Sequence, residues 1–333
     1  MIVEQPASPF ERLLSRPQPG WLKLGLSLLI LLLPFGAAVL DGELDTLLQQ
    51  GRWRFLILPP TIIIYIWLVS PRLARMGAEV LAAMRPLITL EDEEFEQMVQ
   101  EASRVKPGYE WLAFCAGALL GVAAARESNL VASLTWQVGY WYLASACMYG
   151  LLGWTIFASL VSTRLNAALH RSPLRFDILD PRPFEPVGRQ SLTLALVFVG
   201  GATFSLLLTF QPENFTDPKF WLANLLLVLV ILLIFFLSMR PTHRLLAEEK
   251  HRALEPVQSL LRGTGRELVE RLQGGQDASD LSARINALAV YEARLQAART
   301  WPYNTATLRT LFFSVLIPIF TVLGRLVVEV WVR

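Results

Sequence analysis

Charge is what this chain has least of. Only 17% of its 333 residues are Asp, Glu, Lys or Arg, against about 25% in an ordinary soluble domain. The formal net charge is just +2. That argues against a nucleic-acid binder, which draws most of its affinity from a concentrated basic surface, so no nucleic-acid partner is expected. Cysteine is scarce too. Cys115 and Cys147 both sit inside apolar runs, where thiols act as small hydrophobes, and nothing in their placement builds a disulfide framework. Histidine appears three times, as His170, His243 and His251. None has a carboxylate or thiol at a familiar ligand spacing, so no metal site is expected, and the three are expected at the surface or against headgroups. No Ser–His–Asp arrangement can be assembled, and Gly263-Thr264-Gly265 is too little to cradle a phosphate. The chain is therefore expected to have no catalytic residues, no cofactor and no enzymatic activity. It also lacks internal repeats and low-complexity tracts.

What it has is apolar length. Hydrophobic residues make up 53% of the chain, and its mean hydropathy is +0.43. A helix needs about 20 mostly apolar residues to cross a bilayer core. Seven segments qualify: 21–40, 55–73, 109–125, 134–161, 191–210, 220–239 and 308–332. The expected fold is all-α, a polytopic integral membrane protein with about seven spans. The first segment follows Arg12, Arg16 and Lys23 as a secretory signal would, and Gly36-Ala37-Ala38 faintly resembles a cleavage site. Its apolar stretch exceeds the 7–15 residues of a signal core, so it is expected to remain as a span. In the second segment Pro59 and Pro60 fall near the start, where first-turn N–H groups have no helical partner to lose. The fourth is long enough to tilt or to run beyond the bilayer.

Basic residues sort into alternate loops. Arg72, Arg75, Arg85, Arg104 and Lys106 follow the second segment, and Arg164, Arg171, Arg175, Arg182 and Arg189 follow the fourth. The loop after the sixth, from Arg240 to Arg309, is richest, whereas the opposing loops hold only Arg52, Arg54, Arg126 and Lys219. Lys/Arg excess marks the cytoplasmic side. A plasma (inner) membrane protein is expected, with a cytoplasmic amino terminus and an extracytoplasmic carboxyl terminus. Trp53, Trp136, Trp221 and Trp331 fall at the expected outer boundary and Trp21, Trp111 and Trp301 at the inner one, while Trp154 fits neither belt and is expected between helices.

Three parts follow: spans one to six with their loops (1–240), a cytoplasmic helical region (241–307) and a seventh span (308–333). In the first cytoplasmic loop, Thr89 is expected to cap a helix bearing Asp92, with Phe95 and Val99 on its apolar face. The neighbouring acidic run, Glu91 to Glu96, lacks the spacing and turn glycine of a calcium loop and reads as a solvated helix start. Beyond Arg240 a helical rhythm is expected to break at Pro256 and at Gly263 and Gly265. A second helix is expected from Asp277 or Ser279 toward Ala298. In it Leu281, Ile285, Leu288 and Leu295 repeat at four-three spacing, with Glu292 in the seam. That stripe packs either against the neighbouring helix of its own chain or, as an oligomer or partner contact, against another subunit or a cytoplasmic protein. Gly117 and Gly121 form a small-xxx-small pair, read first as packing within the chain and second as a dimer face.

Charge inside the spans is confined to the last one. Arg325 and Glu329 stand four apart and share a helix face. They read either as an anchor at the outer interface or as the mouth of a polar pathway. No other span carries a deep acid or base, which disfavours an ion-coupled carrier more than a channel. The segments from Arg175 to Arg189 and from Trp301 to Asn304 are rich in proline and aromatics and read as an ordered collar beneath the spans.

This layout resembles the insect odorant and gustatory receptor superfamily of ligand-gated cation channels. The shared features are seven spans, a cytoplasmic amino terminus, a long fourth helix ending near Ala168, a helical extension after span six and a helix leading into span seven at Trp301-Pro302. The resemblance implies a homo-oligomer assembled through the cytoplasmic extensions, with the last helix lining the pathway. On this chain that helix offers Ser314, Pro318, Thr321, Arg325 and Glu329, Pro318 loosening it by removing a backbone bond. Besides the lipid bilayer, the expected partners are further copies of the chain or a cytoplasmic protein. The competing expectation is a non-conducting scaffold or sensor.

Overall fold

The computed structural model describes residues 19–103, 107–127, 135–180, 182–209 and 218–301, together with 309, 310, 312–314, 316, 317, 320 and 324. Nine helices are named within that set: α1 (Gly20–Leu40), α2 (Leu44–Gln49), α3 (Trp53–Met84), α4 (Asp92–Ser103), α5 (Pro107–Glu127), α6 (Trp136–Arg171), α7 (Glu185–Thr209), α8 (Pro218–Gln273) and α9 (Ser279–Ala297). No strand occurs among the described residues; a single antiparallel bridge joins Ile88 to Leu174. Among the described residues, six runs are long and apolar enough to cross a membrane: Gly20–Leu40, Trp53–Leu87, Asp92–Arg126, Trp136–Arg171, Arg182–Thr209 and Val228–Gln273. The chain is an all-α polytopic membrane protein. The described positions between 309 and 324 are helical, and the rest of the expected seventh span lies outside the described residues.

The bundle is organised around α6, which packs on α1, α3, α4, α5 and α8. Its union with α5 rests on glycine. A Cβ added at Gly117 would lie 2.2 Å from the Tyr149 carbonyl oxygen, at Gly121 2.5 Å from that of Ser145, and at Gly153 2.6 Å from that of Ala113. Positions four apart on α5 thus meet positions four apart, in reverse order, on α6, so the two helices run antiparallel with backbones in direct contact. Packing within the chain accounts for Gly117 and Gly121. Close approach of this kind replaces the hydrophobic drive that lipid removes. Trp154 is buried in α6 against Trp67, Phe114 and Ala158.

Two prolines sit deeper in α3 than the sequence suggests. The helix begins at Trp53 and contains Pro59, Pro60 and Pro71, so Pro59 and Pro60 fall in the second turn. Pro60 cannot donate to Leu56, and the freed Leu56 carbonyl accepts the Tyr140 hydroxyl from α6 at 3.1 Å. A neighbouring helix thereby satisfies the carbonyl that proline orphans. On the other side of α3, Tyr65 donates to the Val197 carbonyl of α7 at 3.1 Å, and Gly200 leaves room for its ring.

Three further expectations are corrected. Helix α4 starts at Asp92, and Thr89 does not cap it. Thr89 instead gives both its backbone N–H and its hydroxyl to the Pro173 carbonyl, each at 3.1 Å, because the Ile88–Leu174 bridge holds that backbone extended. Phe95 and Val99 are buried as expected. Helix α8 does not break at Pro256, Gly263 or Gly265, and it passes position 240 without interruption. Leu246, Val257 and Leu295 belong to one buried cluster with Leu254 and Leu261 packed on it, so pairing with α9 offsets the lost backbone bond. At 56 residues α8 is about 84 Å long, far more than the roughly 30 Å of a bilayer core. The histidines are the third correction and are described with the site.

Candidate functional site

Where the carboxyl end of α6, the amino end of α7 and the middle of α8 meet, polar side chains turn inward. Asn166 Nδ2 donates to Gln190 Oε1 at 3.4 Å, and Gln190 Nε2 donates to Ser162 Oγ at 3.2 Å. Ser238 Oγ lies 2.8 Å from Ser191 Oγ and 2.9 Å from the Phe235 carbonyl, while Ser191 donates to the Val187 carbonyl at 3.1 Å. Asn166, His170, Ser191, Ser238 and Thr242 are all buried.

His170 fixes the sense of the next bond. Its Nδ1 faces the Asn166 carbonyl, which can only accept, so Nδ1 carries the proton. Nε2 is then the acceptor for the Thr242 hydroxyl, 2.8 Å away on α8. The ring lies 6.0 Å from that of Phe184, which Phe176 meets edge-on at 5.0 Å. The proline-rich segment after α6 thus inserts Phe184 beneath His170, and the Arg175 N–H donates to the Leu87 carbonyl at 2.8 Å. His170 was expected at the surface; it is buried because a neutral imidazole with both nitrogens partnered can be enclosed.

Beyond the bundle, α8 and α9 form an antiparallel hairpin turned at Gly275, whose φ of +69° suits glycine. Arg271 of α8 pairs with Asp280 of α9 at 3.3 Å. Within the turn Asp277 accepts from the Ser279 N–H at 3.0 Å and its hydroxyl at 3.1 Å. Those bonds, the backbone one first, hold the Asp277 carboxyl below its ordinary range. The seam is the stripe read from sequence: Leu281 and Leu295 are buried, Ile285 and Leu288 half-buried. Glu292 accepts Gln258 at 2.9 Å and Gln296 at 3.1 Å.

The far end of α9 is clamped to α8. Lys250 Nζ donates to the Gln296 carbonyl at 2.5 Å and to the Ala298 carbonyl at 3.0 Å. A cation there satisfies orphan carbonyls and complements the helix dipole. About two turns toward the bundle, His243 donates from Nδ1 to the Thr300 carbonyl at 3.1 Å. Its ring stacks on Trp301 with centroids 4.0 Å apart and planes 9° from parallel. His251 alone of the three histidines is exposed.

Of the residues singled out for a pathway, Ser314 is 8% exposed, and Pro318, Thr321, Arg325 and Glu329 lie outside the described residues. Of those singled out for oligomer or partner contact, Leu288 and Leu295 pack in the cluster that holds Leu246 and Val257 of α8, Leu281 is buried and Ile285 half-buried. No group of residues suited to hold a metal ion occurs among the described residues. Sequence reasoning missed Gln190, Thr242, Lys250 and Tyr140. Only Tyr140 had a legible signal, since a proline inside a span announces a carbonyl that needs a donor. No protein-family model, curated protein or solved structure matches the chain.

Proposed function

We propose that this protein is a channel-like membrane receptor in which the α8–α9 hairpin is mechanically coupled to the last helix. The observation that carries this reading is the clamp. Lys250 and His243 grip the segment 296–301, and the described part of the last helix begins at Arg309, eight residues beyond Trp301. On this reading a displacement of the hairpin is passed on to the last helix. The loop arginine bias supports a cytoplasmic position for the hairpin.

The last helix has a polar and an apolar side. Ser314 is buried, whereas Phe312, Phe313, Ile317 and Phe320 are exposed. Positions 314, 318, 321, 325 and 329 recur every three or four residues. By sequence spacing alone, Thr321, Arg325 and Glu329 would share a helix face with Ser314. Such a row is where a polar pathway would run, and the resemblance in layout extends the reading to a homo-oligomer. Planar-bilayer recording of the purified full chain tests it. A conductance is expected, and Lys250→Met should alter its gating by freeing the end of α9. A silent bilayer under every voltage, together with a monomeric mass, overturns the proposal.

A second reading has its own observation. The belt groups on α6, α7 and α8 satisfy one another within the chain, as suits a bundle that stays closed. A non-conducting scaffold or sensor would keep the hairpin coupling and show no current. Spin-label distances between hairpin and bundle that shift in Lys250→Met without any conductance would favour it.

A further inference from the structure

One surface feature repeats on four helices and does not depend on whether the protein conducts. The buried belt marks a level in the bundle, set by Ser162, Asn166 and His170 on α6, Gln190 on α7, and Ser238 and Thr242 on α8. Helix α3 joins at Gly77, where an added Cβ would lie 3.6 Å from Gln190 Nε2. Arginines stand at the same level with the opposite aim. Arg75 is two residues from Gly77, Arg164 midway between Ser162 and Asn166, Arg171 next to His170, Arg189 next to Gln190, and Arg240 midway between Ser238 and Thr242. Two residues of helix rise about 3 Å, so each arginine leaves its helix close to a belt residue, and together they form a slab about 10 Å deep along α6, from Arg164 to Arg171. All five are exposed. None pairs with a carboxylate among the described residues.

Their apolar neighbours follow a register. Leu160 precedes Arg164 by four residues and Phe236 precedes Arg240 by four, and on α3 Leu68 precedes by four Arg72, a further exposed arginine three residues before Arg75. Residues four apart share a helix face, and Leu68, Leu160 and Phe236 are 54%, 44% and 44% exposed. On three helices, then, an outward apolar side chain sits one turn deeper in the span than an outward guanidinium. That is the outline of a phospholipid, with acyl methylenes above and phosphate below.

We propose that this slab binds the headgroup phosphates of anionic phospholipids. The guanidinium fork matches phosphate oxygens in pairs. A zwitterionic headgroup brings its own cation to compete for the same phosphate, so anionic headgroups are selected. Native mass spectrometry of the full chain, offered equal phosphatidylglycerol and phosphatidylcholine, tests this directly. Retention should favour phosphatidylglycerol on the order of tenfold, since two engaged arginines suffice for that ratio. The combined Arg164→Gln, Arg189→Gln and Arg240→Gln variant should lose the preference. Arg262→Gln with Arg266→Gln, on the hairpin, should keep it. Should the triple variant fail to fold, wild-type preference decides the matter by fading between about 0.1 M and about 1 M salt, as screening shortens from about 10 Å to about 3 Å. Equal retention by the wild type, a preference unchanged in the folded triple variant, or one insensitive to salt overturns the proposal. So does displacement of the lipid by inorganic phosphate at constant ionic strength, where an equal ionic strength of chloride leaves it bound, which would make this a site for free anions.

Discussion

Helix α6 is held in two different ways along its length. Toward Trp136 it meets α5 backbone to backbone, with Gly117, Gly121 and Gly153 removing every side chain that would keep the helices apart. Toward Arg171 it meets α7 and α8 through Asn166, His170, Gln190 and Thr242, side chain to side chain. The first union tolerates no added atom, while the second tolerates change in volume but not in hydrogen bonding. Lipid explains the contrast. Where nothing is gained by hiding apolar surface from water, helices associate by close fit or by polar contact.

The close fit should be the harder to breach. In Gly117→Ala the new Cβ would meet the Tyr149 carbonyl, carbon included, at 2.2–2.9 Å. Both partners are backbone, so neither can rotate away. Overpacking of this kind costs typically 1–3 kcal/mol and occasionally more, and the upper end is expected in thermal unfolding followed by tryptophan fluorescence in detergent. Gly201→Ala is the control, because its Cβ would meet nothing within 4 Å. It should be neutral or slightly stabilising, by up to about 1 kcal/mol from helix propensity. If the two variants melt alike, backbone contact is not what joins α5 to α6.

The polar union should fail by a different rule. Thr242→Val preserves shape but removes the hydroxyl that donates to His170 Nε2, leaving a buried acceptor without its donor at a cost of about 1–3 kcal/mol. Removing both partners, with His170→Leu added, should recover part of that loss, since a polar group that is absent need not be satisfied. A double-mutant cycle on unfolding midpoints checks this. Strictly additive losses would mean that Thr242 and His170 are coupled only through packing.

The sequence carried the first mode better than the second. Gly117 and Gly121 are visible as a pair because small residues four apart mean close approach wherever they occur in a span. The long helices, the α9 stripe and the buried Phe95 and Val99 were legible for the same reason, each being a local periodicity. His170 and Thr242 are 72 positions apart, and Asn166 and Gln190 are 24 apart. No spacing rule joins residues on different helices, so His170 looked like any histidine near an interface. Pro256 misled in the opposite direction. Its local tendency to end a helix is real, but Val257 and Leu261 pack with α9, and that support comes from forty residues away in the chain.

The same hydrogen-bonding logic operates outside the bundle, in water, and there it should be weakest. Asp277 takes two bonds from Ser279, yet it is fully exposed, so solvent replaces much of what a substitution removes. Its carboxyl is held below the ordinary value in the folded hairpin, first by the Ser279 N–H and then by its hydroxyl. Folding therefore favours the ionised form. The stabilisation is complete above the unfolded value near pH 3.9 and disappears as pH falls through the lower folded value. Asp277→Asn should leave bundle unfolding unchanged while flattening the acid limb of hairpin stability, read as amide exchange in α9 between about pH 5 and about pH 2. A hairpin equally acid-sensitive with asparagine there would mean that Asp277 is not the source of that limb. A polar contact in this protein would then matter in proportion to how little water can reach it, with His170 at one extreme and Asp277 at the other.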